Sequence, residues 1–253
     1  MSEIETKPDG TQAIRRASAM LRQIAHGPGG GMSLREVSEA MGLTRSTAHR
    51  ILKCLLDERL IEYIDTERRY VIGSLTFELG LAATGRQREI MQWRPAVDML
   101  SQKTGATVFL MGRSGNESVC LCKSEGSSVV RVFPVEVGQR RPLGVGAGAT
   151  ALLAATTPGD AERVLEAIAG HLAQYPALSV DRIRQHVEDA RRNGYAESRS
   201  TVAGGVYGLG MPIPTKHGPA TLALSLAVHE SLAGDEQIAA MKRWMAKAVA
   251  REF

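Results

Sequence analysis

The sequence predicts an α+β protein of two domains: a small helical domain closed by a β-hairpin, then a linker helix, then a larger domain on a largely antiparallel sheet. Three observations carry this. The chain has 253 residues, long for one compact domain and natural for two. Up to residue 73, three short stretches carry apolar side chains at helical spacing, and an alternating stretch follows them. Beyond residue 94, β-like runs come in succession with helices interrupting them, a pattern of α+β architecture.

Composition sets the outer bounds. With 43% apolar and 23% charged residues the chain can bury a core, and global disorder is excluded. No window of eighteen apolar residues occurs, so no membrane span is expected. The start, MSEIETKPDGTQ, is polar with early acids and is not a secretory signal. Cys54, Cys120 and Cys122 are odd in number, with no CxxC pair and no His at metal spacing; reduced thiols in a cytoplasmic protein are the economical reading. The net charge of +4 is weak evidence for an acidic partner, because residues 1–80 hold 11 Lys/Arg against 11 Asp/Glu. Only local clustering speaks to nucleic acid, and residues 40–56 are the cluster, with three positives and no negatives.

Residues 1–10 read as a disordered tail. In TQAIRRASAMLRQIA (11–25), Ile14, Ala17, Met20 or Leu21, and Ile24 share one helical face. The glycine-rich HGPGGG (26–31) breaks that helix. SLRE is a capping box, with Ser33 as N-cap and Glu36 reaching back. The helix it opens turns Leu34, Val37, Ala40 and Met41 inward and stops at Gly42. Thr44 is an N-cap candidate only a few residues later, which makes a helix-turn-helix. LIEYIDTERRYVIG (60–73) gives two antiparallel strands, Ile61–Ile64 and Arg69–Ile72, around Asp65–Arg68: a wing that completes a domain over 11–73. Residues 74–93 read as one linker helix with Leu75, Leu79 and Ala82 or Ala83 inward, ended or bent by Pro95. The second domain, 94–253, opens on a helix from Ala96 to Lys103. It continues through β-like runs at 106–112, 118–124 and 129–137, a glycine-rich segment turning into a helix, helices near 158–172 and 180–193, strands at 206–214 and 220–229, and a helix from Asp235 to Arg251.

The stretch GLTRSTAHRILKCL (42–55) carries the most chemistry. In a helix from Thr44 to about Leu56, the residues Ala48, Ile51, Leu52, Leu55 and Leu56 form a buried stripe. Ser46, Thr47, Arg50 and Lys53 fall on the opposite face, Arg45 sits in the first turn, and His49 lies on the flank. The helix N-terminus offers free N–H groups to a phosphate. Arg50 suits guanine edges, Ser46 and Thr47 suit phosphate or base, and Lys53 suits the backbone. The bland alternative is a solvated charged face; the acid-free face, the preceding turn and the following hairpin weigh together against it. Arg68 and Arg69 are candidates for a minor groove or phosphates, an idea that Glu67 dilutes.

These residues resemble the IclR family of bacterial transcription regulators over nearly the whole chain. The carriers are AIRRASAML, LREVSEAMGLTRSTAHRILKCL, RRYVIGSLTFELG, RPAVDMLSQKTGATVFL, GQRRPLGVGAGATALLA, RRNGYAESRSTVAGGVYGLGMPI and ATLALSLAV. The resemblance implies a winged helix-turn-helix domain, a linker helix and a GAF-like α/β effector-binding domain with an antiparallel sheet. It also implies homodimers, often paired into tetramers, on palindromic double-stranded operator DNA. A dimer suits the physics, because one helix covers few base pairs.

PLGVGAGATALLA places glycines at 144, 146 and 148 before a helix, where backbone approaches a ligand closely and a carboxylate is attracted. Tight helix packing is the alternative. The spacing is GxGxG rather than GxGxxG, and no βαβ context with a ribose-binding acid follows, so a dinucleotide is not expected. The resemblance implies an effector pocket walled by Leu143, Gly146, Ala147 and Gly148, then by Ser198 to Thr201 (with Arg199 and Thr201), then by Gly208 to Gly210 (with Leu209), and by Ser225 and Ala227. Family members commonly carry His at 144, Lys at 150, acids within 198–201, Cys at 208 and Ser at 227. The smaller residues in this chain imply room for a ligand larger and less polar than glyoxylate or pyruvate: a bulky or aromatic organic acid or a neutral analogue. Arg199 is the candidate counter-charge, with a solvent-facing role as the alternative.

Cys120 and Cys122 alternate along one strand and so are expected on one face, as a vicinal redox pair or as buried small residues. Cys54 is expected on the outward side of its helix. An enzyme is the rival class, but the histidines at 26, 49, 171, 186, 217 and 229 stand in neither HxxxH nor HExxH spacing, and GxSxG is absent. His217 and His229, near the presumed pocket, read as a surface turn and a strand end. No catalytic residue, metal ligand or cofactor is assigned. A third class is a constitutive DNA-binding protein whose C-terminal domain only oligomerises.

Overall fold

The computed structural model describes residues 11–128, 135–216 and 218–251. The expected tail at 1–10, most of the β-like run at 129–137, and His217 lie outside the described residues. The chain divides into two compact units, Met1–Gln87 and Arg88–Phe253.

In the first unit, α1 (Gln12–His26) buries Met20 and Ile24. Ile14, expected inward, is 68% exposed, because the core it would join begins one turn later, at Ala17. A strand not foreseen in the sequence, β1 (Gly31–Met32), precedes α2 (Leu34–Met41). The capping box forms: Glu36 N–H donates to Ser33 Oγ at 3.3 Å, and Ser33 N–H donates to a Glu36 carboxylate oxygen at 2.7 Å. Val37 is buried, but so is Ser38 rather than Ala40. The Ser38 hydroxyl donates to the Leu43 carbonyl at 2.7 Å and ties down the turn, while Ala40 is exposed. Gly42 takes φ 60°, the left-handed conformation that ends α2. From there the chain enters α3 (Arg45–Asp57), capped by Thr44, whose hydroxyl oxygen accepts from Thr47 N–H. Strands β2 (Ile61–Ile64) and β3 (Arg69–Ile72) have the expected limits, and β1 adds to them in the order β1-β3-β2.

The expected single helix over 74–93 is two. α4 (Ser74–Ala82) ends at Ala83 with φ −77° and ψ 58°, and α5 (Thr84–Thr104) runs on through Pro95. Proline inside a helix costs about 3 kcal/mol. Trp93, Ala96, Val97 and Leu100 all lie in the core of the second unit, at about 1.5–3 kcal/mol for each large side chain, so packing outweighs the lost bond. α4 has no buried residue; Leu79, expected inward, is exposed, as are Phe77 and Leu81.

The second unit is a three-layer sandwich. Its six-stranded antiparallel sheet contains β4 (Thr107–Ser114), β5 (Glu117–Ser124), β6 (Arg140–Pro142), β7 (Ala196–Arg199), β8 (Val206–Pro212) and β9 (Leu222–His229) in the order β6-β5-β4-β9-β8-β7. Between β6 and β7 come α6 (Ala147–Ala154), α7 (Pro158–Ile168) and α8 (Val180–Asn193), and α9 (Asp235–Ala250) follows β9. Alternation decides the layers. Val108 and Leu110 join Trp93 and Met245 on the face covered by α5 and α9, whereas Phe109 and Met111 join Leu152 and Ile183 on the face covered by α6 to α8. Cys120 and Cys122 do not share a face. Cys120 pairs with Met111 and Cys122 with Leu110, leaving Leu121 as an extra residue, and this bulge sends the two thiols into different clusters. Burial pushes the Cys120 thiol up to about 12 and raises that of Cys122, so neither is a ready nucleophile.

Candidate nucleic-acid interface and ligand cavity

In α3 the apolar stripe turns inward: Ala48, Leu52 and Leu55 are buried, and Ile51 and Leu56 pack against them. Arg45, Ser46, His49, Arg50 and Lys53 are exposed, and Thr47 is half-buried. None of the three cations has an ion pair to a described residue, so the face is open to an anion. The helix runs one residue further than expected and takes in Asp57, beyond Lys53. Thr44 Oγ1 lies 3.1 Å from Ser46 Oγ and donates to Thr47 Oγ1 at 3.0 Å, so the hydroxyls at the helix start are already oriented. Arg50 and Thr47 also line a groove of about 450 Å³ with Gln12 and Arg16 of α1. Arg16 was not among the expected site residues; its closeness to α3 comes from helix packing and leaves no mark in local spacing.

The two wing arginines separate. Arg68 sits in the turn, exposed, with φ 53°. Arg69 turns inward: its Nη2 donates to the Gly31 carbonyl at 2.7 Å and lies 3.7 Å from the Glu36 carboxylate. Its side chain is 24% exposed, and it clasps β1 and α2.

In the second unit, a cavity of about 50 Å³ lies between the start of α6 and strands β4, β8 and β9. It brings together eight expected residues: Gly146, Ala147, Gly148, Ser198, Thr201, Gly208, Ser225 and Ala227. Leu143, Leu209 and Arg199 lie elsewhere. Leu143 is fully buried in the core beside the cavity. Leu209 alternates with Gly208 and Gly210 and so faces the opposite layer. Arg199 is exposed with its guanidinium over the Tyr207 ring at 4.8 Å, and it lines a polar groove with His186, Glu197 and Lys242.

The room expected from the small residues is filled from within. A Cβ on Gly144 would meet Ile183 Cγ2 at 2.3 Å, and one on Gly208 would meet Ser198 Oγ at 2.6 Å. The Thr150 hydroxyl donates to the carbonyls of Gly144 and Gly146, 3.0 Å from each. Phe109, Met111, Val202 and Val206 give apolar walls, and Ser198, Thr201 and Ser225 contribute hydroxyls. The charged lining residue is Arg141, another that the sequence reading missed. Burial draws its pKa below the ordinary arginine value, against opposing effects of Tyr175 and Cys120. His229, considered earlier near this pocket, caps a turn: its Nδ1 accepts from Ser231 N–H at 3.3 Å. Among the described residues no group of three or more His, Cys, Asp or Glu is placed to hold a metal, and no helix is long and apolar enough to cross a membrane.

Comparison with known proteins covers both units. Residues 13–65 match the IclR helix-turn-helix domain, and residues 82–252 match the bacterial transcriptional regulator IclR C-terminal domain. The chain is 31% identical over 211 residues to the HTH-type transcriptional regulator Rv1719 of Mycobacterium tuberculosis, covering 82% of this chain and 79% of the relative. The crystal structure of an IclR transcriptional regulator from Alicyclobacillus acidocaldarius shares the fold, with a TM-score of 0.78, 22% identity, and coverage of 94% of this chain and 96% of that one. An IclR homologue from Microbacterium hydrocarbonoxydans, solved with 4-hydroxybenzoate, also shares it, with a TM-score of 0.73, 18% identity, and coverage of 94% and 98%. The matched families are transcription regulators, not enzymes.

Proposed function

The chain belongs to the IclR family of bacterial DNA-binding transcription regulators, and from that premise we propose that it is a ligand-responsive member whose effector is an organic acid with an apolar, aromatic or otherwise bulky body. The observation that carries this reading is the largely apolar cavity beside the start of α6. The 4-hydroxybenzoate complex of a protein with this fold supports an aromatic acid. At about 50 Å³ the cavity is small, so an aromatic ring enters by displacing wall side chains such as Met111 and Val202.

The protein acts in the cytoplasm as a homodimer, or as a pair of dimers, on palindromic operator DNA. The exposed Phe77, Leu79 and Leu81 of α4 support self-association. Arg45, Ser46, Thr47, His49, Arg50 and Lys53 approach the duplex from α3, and Arg68 from the wing. A coupling of about 1–3 kcal/mol between effector and operator changes occupancy several-fold or more.

Two measurements test this. Arg50→Ala weakens binding and relaxes base preference, whereas Lys53→Ala weakens all sequences alike and flattens the salt slope by about 1; equal loss on specific and random DNA for Arg50→Ala removes its base-reading role. In a thermal-shift panel, benzoate-type acids stabilise the protein more than pyruvate or glyoxylate, and stabilisation by the smallest keto acids alone contradicts the bulky effector. The small free volume favours one second reading, a constitutive regulator whose C-terminal unit only oligomerises; operator binding unmoved by any acid in the panel selects it.

A further inference from the structure

The half-buried arginines of the second unit are almost all accounted for. Arg113 Nη1 donates to the Asp160 carboxylate at 2.9 Å. Arg140 Nε donates to the Glu117 carboxylate at 2.9 Å, and its Nη2 donates to Ser114 Oγ at 2.8 Å. Arg184 bridges Glu162 and Asp181. Arg141 differs. It follows Arg140 on β6 and so points to the other side of the sheet, toward the cavity. Its guanidinium has no hydrogen bond or ion pair to any described residue. The ionisable groups near it, Tyr175 and Cys120, are neutral at physiological pH, since burial raises both. Because an arginine in a protein stays charged, the cavity wall holds an uncompensated cation. Half-buried and not sealed in the core, that charge is available to an anion, and unpaired charges in clefts mark functional positions.

The surroundings define what it accepts. Among the described residues, the remaining polar side chains of the lining are the Ser198, Thr201 and Ser225 hydroxyls, with no acid, so a cationic ligand is repelled and an anionic one is not. A Cβ on Gly146 would lie 3.8 Å from Arg141 Nη1, so the guanidinium stands beside the opening turn of α6 without a side chain between them. A planar carboxylate meets that fork with two parallel charge-assisted hydrogen bonds.

Resting on the reading of this cavity as the effector site, we propose that Arg141 anchors the effector by its carboxylate, with the apolar body of the acid against Phe109 and Met111. Arg141, not Arg199, then supplies the counter-charge, and neutral analogues are excluded as natural effectors.

The test is calorimetric titration of the full-length protein with two acid–amide pairs, benzoate with benzamide and pyruvate with pyruvamide. The wild type is expected to bind at least one acid about ten- to hundredfold more tightly than its amide, the range for hydrogen bonds to a charged group. Arg141→Gln closes that gap, Arg141→Lys keeps part of it, and Arg199→Gln leaves it unchanged. An acid–amide gap that survives in Arg141→Gln, or an amide that binds the wild type as tightly as its acid, overturns the anchor and leaves the effector site standing. Failure of all four compounds to bind the wild type overturns the effector reading and the anchor with it. A ligand-free readout stands beside this: removing an unpaired cation leaves the melting temperature of Arg141→Met equal to or above that of the wild type, and a clear fall reveals a structural partner and overturns the proposal.

Discussion

Gly210→Ala is the sharpest test of how the cavity is built. Strand β8 passes so close to the start of α6 that a Cβ at 210 would lie 2.4 Å from the Ala147 carbonyl oxygen, 2.5 Å from its carbon and 2.8 Å from Gly148 N. All three obstacles are backbone, so no side chain can swing aside. Ordinary contact begins near 3.4 Å; strand or helix must therefore retreat by about 1 Å. Retreat is resisted, because Ala147 to Leu153 are all buried between the sheet and α8. Overpacking of this kind costs about 1–3 kcal/mol, and a clash of backbone on backbone belongs at the upper end, near 3. For a domain of this size that lowers the melting temperature by roughly 6–12 °C. Both tryptophans, Trp93 and Trp244, lie in the second unit, so thermal denaturation followed by their fluorescence reports on the unit that carries the change. Gly159→Ala on α7 is the control: nothing lies within 4 Å of its added methyl, and the reduced freedom of the unfolded chain stabilises it by about 0.4–1 kcal/mol. A Gly210→Ala protein melting within about 1 °C of the wild type would refute the close approach.

Other consequences are as direct. Arg69→Ala should destabilise the first unit by about 1–2 kcal/mol through the lost bond to Gly31, whereas Arg68→Ala leaves stability alone and flattens the salt dependence of operator binding; urea denaturation and titration on DNA separate them, and the reverse assignment contradicts the geometry. The Ser33 backbone N–H, then its hydroxyl, hold the Glu36 carboxyl below its ordinary 4.5. Its contribution is therefore complete above that value and lost as pH falls through the lowered one. Glu36→Gln should be less stable than the wild type at neutral pH and equal to it in strong acid, and a gap that persists in acid counts against the capping role. Iodoacetamide should label Cys54 in the native protein and reach Cys120 and Cys122 only on unfolding; native labelling at all three contradicts their burial.

What could be read from the chain was local. Ser33 with Glu36, Gly42 in its left-handed turn and Thr44 as N-cap each act over three or four residues, so the helix-turn-helix was visible with its limits. Features set by distant packing were not. β1 is two residues whose strand character exists only because Val71 and Tyr70 pair with them. Pro95 stays in α5 because of the core beneath it. The face of Cys122 depends on one extra residue in β5, which simple alternation cannot reveal. Within the cavity, the glycines marked the right place but misled about its volume, since Ile183 and Ser198 occupy the space from elsewhere in the chain. Arg141, between another arginine and a proline, reads as surface until the sheet is assembled around it.

The buried helix α6 is made of alanine, glycine, threonine and leucine and is hemmed in on every side. Diversification of this scaffold, in nature or as a biosensor, is thereby channelled away from it: a methyl added at Gly148 would lie 2.8 Å from Met111 Cγ and 2.9 Å from Ser225 Cβ. New chemical tastes have to be written into the replaceable wall, at Met111, Val202 and Val206, where a swapped side chain trades volume with the guest and leaves the frame untouched.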